Sequence, residues 1–115
     1  MLEIIQKIRD SDLVDRFIID RLIDEESVKF VKVRVFLKNK TLLFIKSFTA
    51  TNRRKYSYHW QTETGKLIRR WDNAPHGKKR SRIIDHCHVG RVLMPIKAVT
   101  MDEVLEQVRQ YESSK

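Results

Sequence analysis

Val28-Lys29-Phe30-Val31-Lys32-Val33-Arg34-Val35-Phe36-Leu37, then Lys38-Asn39-Lys40, then Thr41-Leu42-Leu43-Phe44-Ile45-Lys46-Ser47-Phe48-Thr49, is the stretch on which the fold turns. Val31, Val33, Val35 and Leu37 alternate with Lys32, Arg34 and Phe36, the period of two that sends successive side chains to opposite faces of a half-buried strand. The polar triplet at 38–40 reads as a turn, and the apolar run after it as a central strand. An antiparallel pair is the expected unit.

The pattern extends in both directions. Downstream, Lys55 to Gln61 and Lys66 to Asp72 form a second pair joined by Thr62-Glu63-Thr64-Gly65, where Gly65 supplies the positive φ such a hairpin needs. Upstream, Leu13, Val14, Phe17, Ile18 and Leu22 fit a helical stripe, whereas the branched and aromatic residues of Phe17-Ile18-Ile19 and Leu22-Ile23 fit a strand from about 15 to 23, the reading favoured here. Leu2, Ile4, Ile5 and Ile8 predict a short amphipathic helix ending near Ser11. Beyond Trp71 no period is evident until Ile83; Ile83 to Val89 reads as extended, as does Val92-Leu93-Met94-Pro95, which Pro95 restricts to an edge or a connection. Thr100 and Glu103 form a capping box before a final helix whose stripe of Met101, Val104, Leu105, Val108 and Tyr111 packs on the sheet. The expectation is one α+β domain over residues 1–115: an antiparallel meander of about five strands, a short N-terminal helix, and a C-terminal helix on the sheet.

Composition sets the class of partner. At 41% hydrophobic and 34% charged residues the chain is globular. A single cysteine, Cys87, excludes an intramolecular disulfide framework, and no apolar run approaches the ~20 residues of a membrane span. The first eight residues intersperse charges among apolar residues, unlike an export leader, so a cytoplasmic location with no membrane partner is expected. The net charge of +9 is polarised: residues 28–91 hold 17 Lys and Arg against 3 Asp and Glu, while residues 1–27 hold 4 against 8. Such a field attracts a polyanion, nucleic acid first and an acidic protein segment second.

Three of the four histidines, His76, His86 and His88, flank the most cationic segment, Gly77-Lys78-Lys79-Arg80-Ser81-Arg82. Imidazoles titrate near neutrality and Lys and Arg hold phosphate, so proton-transfer chemistry on a polyanion belongs here. If 86–88 is extended, His86 and His88 share a face and Cys87, a small packing residue, takes the other. Asp72 can orient an imidazole; Asn73 reads as a turn residue bonding its own backbone. Arg69 and Arg70 lie on opposite strand faces, so at most one of them lines any given surface; an exposed arginine there can clamp a phosphate or serve as a cross-strand charge or cation-π partner for Tyr58. Arg53, Arg54, Lys55, Lys78, Lys79, Arg80 and Arg82 are candidate phosphate contacts. Tyr56, Tyr58 and Trp60 share a face, with His59 and Ser57 on the other; Tyr58 and Trp60 can stack bases or, the favoured reading, floor the core. Glycine-rich phosphate loops, Gly-x-Ser-x-Gly elbows and paired-cysteine zinc spacings are absent from the sequence. With only Glu63, Asp72 and Asp85 acidic in the middle region, a carboxylate-rich two-metal nuclease site is not expected.

The runs Lys55-Tyr56-Ser57-Tyr58-His59-Trp60-Gln61, Leu67-Ile68-Arg69-Arg70-Trp71-Asp72-Asn73-Ala74-Pro75-His76 and His86-Cys87-His88-Val89-Gly90 resemble the TumE family, small toxin components of type II toxin-antitoxin pairs. The resemblance spans most of the chain; Gly77 and Asp85 stand where that family's pattern has further histidines. It implies a toxin role and a cognate antitoxin. Joined to the residue reading, it suggests a toxin acting on RNA as a metal-independent endoribonuclease. One of His76, His86 and His88 takes the 2′-hydroxyl proton, another protonates the leaving oxygen, and Arg69 or Arg70 with the basic loop holds the phosphate. No cofactor is expected. Two rivals stay open: a module that binds nucleic acid or antitoxin without chemistry, and a metal site made by His76, His86 and His88 with Asp72 or Asp85. A homo-oligomer is compatible with either.

Overall fold

The computed structural model describes residues 2–73, 86–89, 92–95 and 99–113. In chain order the elements are α1 (Leu2–Asp10), β1 (Val14–Asp24), β2 (Val28–Leu37), β3 (Leu42–Ala50), β4 (Arg53–Gln61), β5 (Leu67–Asp72), β6 (His86–Val89), β7 (Val92–Pro95) and α2 (Met101–Ser113). The strands form a single antiparallel sheet in sequence order, β1-β2-β3-β4-β5-β6-β7. This is the expected meander, lengthened by the two short segments that the sequence marks as extended. Pro95, which has no N–H to give a ladder, ends the outermost strand.

Alternation in β2 and β3 decides which face is covered. Val31, Val33, Val35, Leu43 and Ile45 are at most 1% exposed, and they meet Ile8, Val104 and Val108 of the helices, each 0% exposed. Both helices therefore pack on one face, and the described residues form two layers. The other face carries Lys32, Arg34, Phe36, Phe44 and Lys46, half-buried or exposed, with no helix over it among the described residues.

Local chemistry closes the elements. Gly65 takes φ 96°, and its N–H donates to Thr62 O across the β4–β5 turn. Lys40 takes φ 71° in the β2–β3 turn, where the Thr41 N–H donates to Asn39 Oδ1 at 3.0 Å. The Thr41 hydroxyl then accepts from Trp60 Nε1 at 2.9 Å, satisfying the one polar atom of a buried indole. At the start of α2 the Glu103 N–H donates to Thr100 Oγ1 at 3.3 Å, and the Thr100 hydroxyl donates to Glu103 Oε1 at 3.2 Å. The helices are tied to each other and to the α1–β1 turn by Lys7–Asp102 and Asp12–Arg109, both 2.6 Å. No helix among the described residues is long and apolar enough to cross a membrane.

Candidate functional site

Register across the helix-free face brings the chemistry-bearing residues into two rows. Arg34 pairs with Phe44, Phe44 with His59, His59 with Arg70, and Arg70 with His88. In the parallel row Arg21 pairs with Lys32, Lys32 with Lys46, Lys46 with Ser57, Ser57 with Asp72, and Asp72 with His86. Directly opposed residues of an antiparallel pair share a face, so these positions belong to one surface. Of the sequence-picked candidates, Arg70, Asp72, His86 and His88 are brought together. His76, Lys78, Lys79, Arg80 and Arg82 lie outside the described residues.

Arg70 is the centre of the hydrogen bonding. Its Nε donates to Asp72 Oδ2 at 2.8 Å, and the Asp72 side chain is 3% exposed against 38% for Arg70. Its Nη1 lies 3.3 Å from His59 Nδ1, and His59 Nε2 lies 3.1 Å from Gln61 Oε1. A guanidinium can only donate, so Nδ1 must accept, and the ring proton then sits on Nε2 and is donated to Gln61. Burial pushes the His59 pKa down, the Gln61 hydrogen bond opposes this, and the Arg70 charge pushes further down. His59 is thus held neutral with both nitrogens engaged. Arg70 is fixed from two sides while the rest of its guanidinium remains half-exposed.

Around this pair a depression of about 180 Å³ is lined by Asp20, Lys32, Arg34, Lys46, His59 and Arg70, among others. Asp20 pairs with Arg34 at 2.9 Å. Lys32 and Lys46 stand directly opposed, both exposed, an arrangement of like charges that an anion relieves. Phe36, Phe44 and Phe48 are half-buried between the cations, and the Phe44 and His59 rings are 6.0 Å apart. Arg53, Arg54 and Lys55 are exposed at the start of β4.

The structure decides two alternatives that the sequence left open, corrects one reading and adds one residue to the face. Tyr58 and Trp60 are 1% and 2% exposed, on the helix side; Trp60 meets the Tyr111 ring edge-on at 4.9 Å, so neither presents a face to a base. The half-buried aromatics of the open face are the phenylalanines, whose even positions in β2 and β3 were the available signal. Arg69 shares the helix side: it bonds Gln107 of α2 and lies 5.8 Å from the Trp71 ring, which makes it an inter-layer tie rather than a partner of Arg70. Asn73 is not only a turn residue but crosses to β4, its Oδ1 accepting from Tyr56 N–H at 2.9 Å and its Nδ2 donating to Arg54 O at 2.7 Å. His59 is the residue that the sequence placed on this face without assigning it to the site.

Cys87 pairs with Trp71, is 4% exposed, and has its thiol pKa pushed up by burial, with the Arg69 charge opposing. That is a packing residue, as its alternation with His86 and His88 implies. Among the described residues no cluster of three or more His, Cys, Asp or Glu is placed to hold a metal. A family model described as toxin TumE matches residues 2–114. No curated protein and no solved structure matches the chain.

Proposed function

The chain belongs to the TumE family of toxins, and from that premise we propose that its helix-free face binds RNA and cuts it without a metal. Membership makes it the toxin of a toxin-antitoxin system and implies an antitoxin partner. The single observation that carries the RNA reading is the pair of rows in which His59, Arg70 and His88 stand beside Ser57, Asp72 and His86. A cytoplasmic site of action accords with an RNA target.

In this reading Arg70, oriented by Asp72 and His59, clamps a phosphodiester oxygen with its remaining N–H groups. Lys32 and Lys46 add charge along the backbone, and Phe44 and Phe48 offer π-faces to unpaired bases. His59, both nitrogens occupied, positions Arg70. Proton transfer falls to His86 and His88, about 6–7 Å apart along an extended strand, with His76 a third candidate. One imidazole takes the 2′-hydroxyl proton as that oxygen attacks phosphorus; the P–O5′ bond breaks, and a second, protonated imidazole gives its proton to the leaving oxygen. The products are a 2′,3′-cyclic phosphate and a 5′-hydroxyl.

The test is incubation of purified protein with an RNA oligonucleotide in chelator, followed by analysis of the ends. Cleavage with those ends, lowered about 10²- to 10⁴-fold in His86→Ala and His88→Ala, is expected. No cleavage, or cleavage undiminished in both variants, refutes the chemistry. RNA bound with a steep salt dependence but left intact would assign the face to binding alone.

A further inference from the structure

β1 is the outer strand of the sheet, eleven residues long, and the exposed large apolar side chains among the described residues all lie on it: Ile18 at 36%, Ile19 at 39% and Leu22 at 44%. Ile18 pairs with Arg34 on the open side, while Ile19 and Leu22 pair with Val33 and Val31 on the helix side, beyond the reach of the helices. An edge strand also presents a row of backbone N–H and C=O groups ready to pair with another strand.

We infer that β1 pairs antiparallel with β1 of a second copy of this chain, about a twofold axis through Ile18. That axis sets Ile18 opposite itself, Phe17 opposite Ile19, Val14 opposite Leu22, Arg16 opposite Asp20 and Asp15 opposite Arg21. Apolar residues meet apolar residues, and each of the two charge pairs occurs twice. Neighbouring registers lose this match: centring on Phe17 sets Arg16 against Ile18, and centring on Ile19 sets Phe17 against Arg21. Asp15 and Arg21 are exposed and make no ion pair among the described residues, so both are available. Exposed ion pairs contribute little energy but fix register, and backbone pairing with burial of Ile19 and Leu22 supplies the attraction.

The geometry also closes. Register shifts near Asp15 and Asp20 mark bulges on either side of Ile18, which strengthen the twist of the strand. The opposite edge, β7, has four residues and ends in Pro95, so it offers no equivalent template. A twofold contact that consumes the long edge of both copies stops at a dimer. Because the axis is perpendicular to the sheet, both helix layers fall on one side and both basic faces on the other. This inference is independent of the RNA reading.

Sedimentation velocity on the full chain over a concentration series tests it, with far-UV circular dichroism as the check on folding. A monomer–dimer equilibrium is expected. Asp15→Arg, which opposes two arginines at each end, weakens it by about tenfold, and the swap Asp15→Arg with Arg21→Asp restores it. Ile18→Lys, which sets lysine against lysine on the axis, gives monomer. A wild-type chain that stays monomeric overturns the inference, as does a dimer indifferent to Ile18→Lys or a swap that fails to restore association. Hydrogen-exchange protection of 14–24 that appears only with the antitoxin bound, the chain alone being monomeric, assigns the edge to that partner and overturns it too.

Discussion

Replacing Asn73 by alanine removes both side-chain bonds that fasten the end of β5 to β4. Its Oδ1 is the acceptor for the N–H of Tyr56, a residue 3% exposed, at 2.9 Å, and its Nδ2 donates to Arg54 O at 2.7 Å. Withdrawing the acceptor from a buried N–H costs about 1–3 kcal/mol. Arg54 is exposed, so water can replace the second bond and the further loss is about 0.5–1.5 kcal/mol. The sum is about 1.5–4.5 kcal/mol, and for a chain of this length about 4 °C of Tm accompanies each kcal/mol, giving a fall of about 6–18 °C. Urea unfolding followed by tryptophan fluorescence measures it, with the slope m unchanged because the surface exposed on unfolding is the same. A loss below about 0.5 kcal/mol, the size of an ordinary surface substitution, refutes the assignment of Asn73 as a cross-strand anchor.

Two further outcomes follow from burial. The folded-state pKa of His59 is depressed, chiefly by burial, so between that value and the unfolded value of about 6.5 the unfolded chain binds more protons than the folded one. Stability from this group is present above about pH 6.5 and lost as pH falls toward the folded pKa. His59→Gln therefore shows a shallower loss of unfolding free energy than wild type between about pH 7.5 and 5.5, the other histidines being common to both; identical slopes would count against the burial of this ring. Cys87, buried with its thiol pKa raised, reacts slowly with a chromogenic disulfide in the native state and fast in denaturant. Native labelling at the rate of a free exposed thiol contradicts its place in the core.

The parts of the fold legible in the sequence are those where one rule acts alone. β2 and β3 alternate without interruption, so their core face is plain from Val31, Val33 and Val35, and α2 is bounded by the capping box and its apolar stripe. β1 was ambiguous for a physical reason. Its helix-side positions are Val14, Phe17, Ile19 and Leu22, and the register shifts near 15 and 20 stretch the period of two to steps of three, two and three, which imitates a helix. The same kind of irregularity, between Trp60 and Gln61, hid which of Arg69 and Arg70 shares a face with His59. The candidate site was half legible: alternation groups His86 with His88 and separates them from Cys87. No local pattern shows that Arg70 and Asp72 neighbour them, because that depends on how β5 pairs with β6, set by contacts remote in sequence. Asn73 was misread because its partners lie 17 and 19 residues away, beyond any turn rule.

The two-layer plan gives the helix-free face an unusual freedom. Side chains that hold the molecule together point one way along each strand, and those of the basic surface point the other. Neighbouring codons therefore answer to different selective demands. Exchanging Lys32, Phe44 or Lys46 leaves Val31, Val33, Leu43 and Ile45 untouched, so the surface can be retuned toward new ligands with little loss of folding. The same separation forbids some changes: inserting one residue within β4 or β5 would move the core row onto the surface and the surface row into the core. Relatives built on this plan should therefore differ by substitution across the open face and by length in their connections, with the spacing inside the strands kept.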